Sequence, residues 1–188
     1  LVDVTARRQA EAALRASEEQ YKALSENAPE IIARFDRRLR HTYINDYGAA
    51  VYGIPKDQVI GKTRAELGMP ASSVAFWNEN LEAVFQTGEI RTVDFEFDSP
   101  TFGHQYLSAL YVPEFDASHS VVSVLVITRD VTPIRKAERS ARESERWFRE
   151  LADSVPQLVW VTQPDGSPLY FNRRWYEQLA ITEKESMG

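Results

Sequence analysis

No cysteine occurs among the 188 residues. That excludes disulfide staples, thiolate metal sites, a cysteine nucleophile and a cysteinyl photo-adduct. No apolar run approaches the roughly 18 residues that span a bilayer. Nor does a signal peptide open the sequence. The expectation is a cytoplasmic chain with no membrane contact of its own. Positive charge is also short: 22 Lys and Arg stand against 28 Asp and Glu, a net charge of −6, so no basic face for nucleic acid is expected. The three histidines, His41, His104 and His119, fall near strand ends or turns, where a solvated imidazole is the default expectation. What remains, 43% apolar and 27% charged residues, is ordinary for a globular protein and enough for one or two small cores.

A repeat organises this material. Asp3-Val4-Thr5 returns as Asp130-Val131-Thr132, and residues 3–61 align without a gap on 130–188 with 15 identities. They include Arg8 with Arg135, Leu24 with Leu151, Pro29 with Pro156, Tyr43 with Tyr170 and Asn45 with Asn172. Such agreement is several times the chance expectation and marks a duplicated module. Each copy opens on an amphipathic helix. Thr5 and Thr132 are suitable N-caps, and Pro133 suits a first helical position. Ala10, Leu14, Ser17, Tyr21, Leu24 and Ala28 repeat at 4-3-4-3-4 spacing, as do Ala137, Ala141, Ser144, Phe148, Leu151 and Val155. A period of 3.5 suits a two-stranded coiled coil, with Leu14, Tyr21 and Leu24 as dimer-helix candidates. The alternative is a helix lying on its own domain's sheet.

Between the helices the sequence turns to β. Short strands are predicted over Ile31–Asp36 and His41–Asn45, and Gly and Pro then punctuate short helical pieces. A longer helix over Ser72–Thr87, capped by Ser72 or Ser73, carries the stripe Val74, Trp77, Leu81, Val84 and Phe85, and Gly88 ends it. Strands follow over Ile90–Asp98, Gln105–Phe115 and Ser120–Arg129. The last is apolar on both faces, so its outer side needs a cover, and the flanking amphipathic helix is the obvious one.

This order resembles the PAS family. Tyr43-Ile44-Asn45 is similar to the family's aromatic-x-Asn signature, and Gly53 followed by Ile60-Gly61-Lys62 to a further family stretch. Asp130-Val131-Thr132 with Arg135 resembles the Asp-x-Thr motif that closes PAS domains. In the second copy, residues 151–160, Pro164-Asp165-Gly166 and 170–176 resemble a PAS opening found in sensor kinases. The resemblance implies an α+β fold: a five-stranded antiparallel sheet with a helical layer on one face, flanked by amphipathic signalling helices. The expected organisation is a linker helix over 1–28, a sensory domain over 29–132, a linker helix over 133–155 and the start of a second domain over 156–188. Residues 156–188 alone lack the strands to bury a core, so they are expected to pack on a neighbour or to continue in a longer protein.

The resemblance further implies a sensor or dimerisation module, commonly part of a histidine kinase or a cyclic-di-GMP enzyme, pairing as a homodimer and followed by an effector domain in the same chain. No effector motif is present, so no catalysis by this stretch is expected. Haem-binding relatives carry a histidine on the long helix, which has none here, so haem is not expected. Covalent flavin needs the missing cysteine. Non-covalent flavin or another small molecule stays open, with Trp77, Leu81, Phe95 and Tyr106 as ligand-pocket candidates, beside the alternative of a filled core. An enzyme would need a carboxylate next to a tyrosine inside that cavity, whereas Asp94, Glu96 and Asp98 fall on the polar face. Asp130, Thr132 and Arg135 are the signal-relay candidates: Asp130 to pair with Arg135 and Thr132 to cap the helix, joining sheet to linker.

Overall fold

A computed structural model describes residues 12, 15, 17, 19, 20 and 22–179. The chain divides into two compact units, one ending at Thr132 and the other beginning at Pro133. In the first, β1 (Ile31–Asp36) and β2 (His41–Ile44) form a hairpin, followed by helices α1 (Asp46–Tyr52), α2 (Lys56–Val59) and α3 (Ala71–Thr87). Strands β3 (Arg91–Ser99), β4 (Gly103–Phe115) and β5 (Val121–Asp130) complete an antiparallel sheet in the order β2-β1-β5-β4-β3. The chain thus has the expected α+β sheet-and-helix architecture.

Alternation along the strands decides which side is covered. Ala33 and Phe35 of β1, Leu107, Ala109 and Tyr111 of β4, and Val124 and Val126 of β5 are buried on the inner face. Helix α3 lays Trp77, Leu81 and Val84 toward the same core. Full burial of side chains such as Phe35 and Leu81 stabilises by about 1.5–3 kcal/mol each. Helix α3 begins one residue earlier than expected, at Ala71, with Pro70 at the N-cap position and no side-chain cap. Proline's fixed φ directs the chain into the helix there, and Ser72 and Ser73 fall inside the first turn. Gly88 ends α3 at φ 68°, a left-handed conformation that glycine takes without steric cost.

On the outer face, Leu125 and Ile127 of β5 lie half-buried beside Ile32 and Arg34 of β1 and Tyr43 of β2. Lys22, Leu24 and Ser25, from the end of the N-terminal helical segment, border the same surface, leaving a groove of about 570 Å³. That segment therefore covers part of the apolar outer side of β5.

The second unit begins with the 23-residue helix α4 (Thr132–Ser154), whose first residue belongs to the first unit. At 1.5 Å per residue it is about 35 Å long. Arg139–Glu143, Glu145–Arg149 and Arg146–Glu150 pair at i,i+4 spacing along its exposed faces. Such exposed pairs are screened by solvent and add only modest support to the helix. A two-stranded sheet of β6 (Trp160–Thr162) and β7 (Pro168–Phe171), then helix α5 (Arg173–Leu179), follow. Trp147, Leu151, Trp160 and Leu169 remain exposed in this unit. No helix among the described residues is long and apolar enough to cross a membrane.

Candidate functional site

Three features converge on the sheet of the first unit: an internal cavity, a clamp where the chain enters, and a junction where it leaves.

The cavity lies between α3 and the inner face of the sheet. It is bounded by Trp77, Phe95, Phe97, Tyr52, Tyr111 and Arg64, among others, and holds about 20 Å³, room for one water. Of the four residues expected around a pocket, Trp77 and Phe95 line it. Leu81 is fully buried in the adjoining apolar cluster, and Tyr106 is placed elsewhere. Along β4, Gln105, Leu107, Ala109 and Tyr111 point inward, so Tyr106 stands on the opposite face, its ring against His104. No carboxylate is among the lining residues. Nor does any group of three or more potential metal ligands occur among the described residues.

Two polar side chains buried near this cavity escaped the reading of the sequence. His41 was expected in solvent, but the first residue of β2 points into the core and is fully buried. Its Nδ1 lies 2.8 Å from the Lys62 carbonyl, which makes Nδ1 the donor and leaves Nε2 as an acceptor without a partner. Burial first, and the Arg64 charge next, depress its pKa to about 4 against the partial support of the Lys62 carbonyl. Arg64 is 5% exposed, its guanidinium carbon 4.2 Å from the Phe35 ring centroid and 5.1 Å from that of Trp77. The turn that carries it is fastened from both sides. Thr63 N donates to Glu66 Oε2 at 2.8 Å, Glu66 N donates to Thr63 Oγ1 at 3.2 Å, and Arg40 Nη1 donates to Glu66 at 2.6 Å. The Arg40 hydrogen bond, then the Thr63 N–H, hold the Glu66 carboxyl down at about 2.

The entry clamp centres on Asn45, fully buried at the end of β2. Its Oδ1 accepts from Ile32 N and Gly48 N, both at 3.0 Å, and its Nδ2 donates to the carbonyls of Ser25 and Glu30 at 3.0 and 2.8 Å. Gly48 sits so close to β1 and β2 that a Cβ there would lie 2.8 Å from Ile44. Beside it, Glu26 accepts from the Tyr43 hydroxyl at 2.9 Å, from Asp46 N at 2.8 Å and from the Lys56 ammonium. Burial pushes the Glu26 carboxyl up, but these donors together more than reverse it, so it titrates below the ordinary glutamate range.

The second unit repeats the clamp. Asn172 accepts from Val159 N at 3.0 Å and donates to the carbonyls of Ala152 and Gln157 at 2.7 and 2.9 Å. Asp153 takes the place of Glu26, accepting from Arg173 N at 2.7 Å. Trp175 stands where the first copy has Gly48, and its N–H bonds to the Asn172 main-chain carbonyl instead.

At the exit, Asp130 Oδ1 accepts from Thr132 N at 2.8 Å and Oδ2 from Gln105 Nε2 at 2.7 Å. The Thr132 hydroxyl, expected to cap the helix, accepts instead from Tyr106 N on β4 at 2.8 Å. Val131 N adds a backbone bond to the Tyr106 carbonyl at 2.8 Å. Burial raises the pKa of Tyr47 on α1, as does the charge of Asp130, while a hydrogen bond from Gln105 opposes them. Arg135 lies exposed in the first turns of α4. Leu24 is 65% exposed, whereas Leu14 and Tyr21 lie outside the described residues.

The chain is 27% identical over 187 residues to an uncharacterised protein, y4lL, of Sinorhizobium fredii, covering all of this chain and 22% of that protein. It is 26% identical over 166 residues to the two-component sensor PprA of Pseudomonas aeruginosa, covering 87% of this chain and 18% of the sensor. It thus spans about a fifth of the length of these relatives. Among solved structures, VqmA of Vibrio cholerae, crystallised with ligand and DNA, superposes with a TM-score of 0.56 at 21% identity, over 61% of this chain and 51% of that one. A PAS domain from Colwellia psychrerythraea gives 0.51 at 18% identity, over 61% and 97%. These likenesses agree with the sheet order described above, and a family model described as PAS fold matches residues 25–136, so the chain belongs to the PAS family.

Proposed function

We propose that the first unit is a sensory module whose state passes along α4 to a downstream effector in the parent protein, such as a histidine kinase. The observation that carries this reading is the Tyr106–Thr132–Asp130–Gln105 network, which ties the first residue of α4 to two positions of the sheet. A shift of β4 at Tyr106 or Gln105 acts directly on the start of the helix, a two-state element of the kind that transmits a binding event. The similarity to a two-component sensor over 87% of the chain supports the same reading. Pairing of two copies through the linker helices is part of the proposal. Phe148 and Leu151, two seam positions of α4, are 40% and 45% exposed, and Val155 just beyond its end is 38% exposed, which leaves them available to a partner helix. A cytoplasmic location for the parent's sensing unit is part of the same proposal.

The test is Asp130→Ala in the full-length parent, with effector output read across stimulus conditions. Output uncoupled from stimulus at unchanged protein level is the expected result. A normal response would remove the junction from the relay. Native mass spectrometry of the chain reads the pairing, and a monomer at micromolar concentration would count against the helix interface. One observation favours a second reading, a scaffold that binds no small molecule: the cavity holds no more than a water.

A further inference from the structure

Arg64 is the least explained group in the fold. Its guanidinium is buried between Phe35 and Trp77, and Nε and Nη1 have no hydrogen-bond partner. No carboxylate among the described residues is within ion-pair distance of it. Arginine keeps its charge in proteins, and a buried charge without a partner is strongly unfavourable. Aromatic faces offset part of that cost, yet they leave the N–H donors unsatisfied. Arg64 lines the cavity together with three hydroxyl-bearing residues, Tyr52, Tyr111 and Thr128. Burial holds the Tyr111 phenol protonated, hence a donor. A positive charge and hydroxyl-bearing residues around a small space, with no negative charge in the lining, suit an anion.

We propose that this cavity receives the carboxylate of a small monocarboxylic acid, with Arg64 as its counter-charge and the wall hydroxyls as further donors. A single negative charge neutralises the single guanidinium, whereas a phosphate dianion would bring a second charge against apolar walls. The planar carboxylate also suits the planar donor set of arginine. At about 20 Å³ the closed space has room for one water, so the head group enters only as Tyr52 and Phe97 move aside. The body of the acid goes outward past Tyr52 and Phe97, which separate the cavity from a surface groove of about 350 Å³ lined by Ile54, Leu67 and Met69. Glu96 and Asp98 also border that groove, so a second carboxylate there is repelled and dicarboxylates are disfavoured. The inference deepens the sensory reading and rests on it. Displacing Tyr52 moves the end of α1.

The test titrates the full chain, in a buffer free of carboxylates, with acetate, butyrate and phenylacetate. Butyramide, phenylacetamide, succinate and sodium chloride serve as comparisons, with binding read by calorimetry. Saturable binding of at least one monocarboxylate is expected, with its amide and succinate at least about tenfold weaker and Arg64→Met weakened to a similar degree. The proposal is overturned by no saturable binding, by an amide that binds as well as its acid, by undiminished binding in folded Arg64→Met, or by chloride binding as tightly. Should Arg64→Met not fold, the acid-against-amide comparison on the unmodified chain decides alone. Failure here leaves the Asp130→Ala response intact, whereas failure of the relay leaves carboxylate binding intact, so the two outcomes separate.

Discussion

Asn45 and Asn172 bind the same three main-chain partners in two copies of one motif. Ile32 N, Ser25 O and Glu30 O around Asn45 become Val159 N, Ala152 O and Gln157 O around Asn172, each 127 residues later. Because every partner is a backbone atom, the residues that supply them are free to change while the asparagine is not. Both asparagines are fully buried, so their amide groups have no water to fall back on.

Asn45→Ala therefore strands two N–H groups and two carbonyls at once. A loss of about 3 kcal/mol or more is expected in urea unfolding of the chain, with faster amide exchange at Ile32 and Gly48. A loss below about 1 kcal/mol would mean that water enters and replaces the side chain.

Thr132→Val keeps the shape of the side chain and removes the acceptor for Tyr106 N. The expected cost is about 1–2 kcal/mol, and hydrogen exchange should accelerate at the Tyr106 amide before it does at Leu107. Unchanged exchange at Tyr106 would show that the hydroxyl does not hold the helix start to β4.

His41 predicts an acid limb in the stability profile. Its folded-state pKa, about 4, lies below the ordinary value of 6.5, so the unfolded chain binds the proton more readily between those values. Stability is complete above pH 6.5, declines as pH falls toward 4 and levels off below, a loss of up to about 3 kcal/mol. The His41→Phe variant should flatten this segment in urea unfolding at pH 7 and pH 4.5. An equally steep decline in the variant would assign the limb to other groups.

Glu26 titrates at lower pH. Its folded-state value is depressed, so its contribution is present above the ordinary value of 4.5 and lost as pH falls through the lower one. Glu26→Gln at neutral pH should mimic that loss, raising amide exchange over residues 22–26 and at Asp46 while the sheet stays protected. Unaltered exchange there would place the hold on the N-terminal segment in Asn45 alone.

Much of this was legible in the sequence, for physical reasons. The 127-residue offset found Asn45 and Asn172, because an aromatic-x-Asn strand end tolerates few substitutes when its amide is fully engaged. Strand β3 was readable because Val93, Phe95 and Phe97 alternate with charged or hydroxylated residues. Strand β4 was readable as a strand but its facing was not, since both of its faces mix apolar and polar side chains: Gln105 lies inside and Leu110 outside, so nothing fixed the phase of Tyr106. Strand β2 spans four residues, too few to show that His41 faces inward. Arg64 stands in the polar run Lys62-Thr63-Arg64-Ala65-Glu66, where an arginine ordinarily means solvent. Only the turn fastened by Thr63, Glu66 and Arg40 sends it to the core.

Helix α4 has a further implication as an unbroken rod. Its first residue is fixed to the first copy through Thr132 and its last turn to the second copy through Ala152 and Asp153. Each residue added between those anchors advances the helix by about 100°, and seven added residues return it to within about 20° of its starting angle. Insertions of seven residues in α4 should therefore disturb effector output of the full-length parent least, and insertions of two or five should disturb it most.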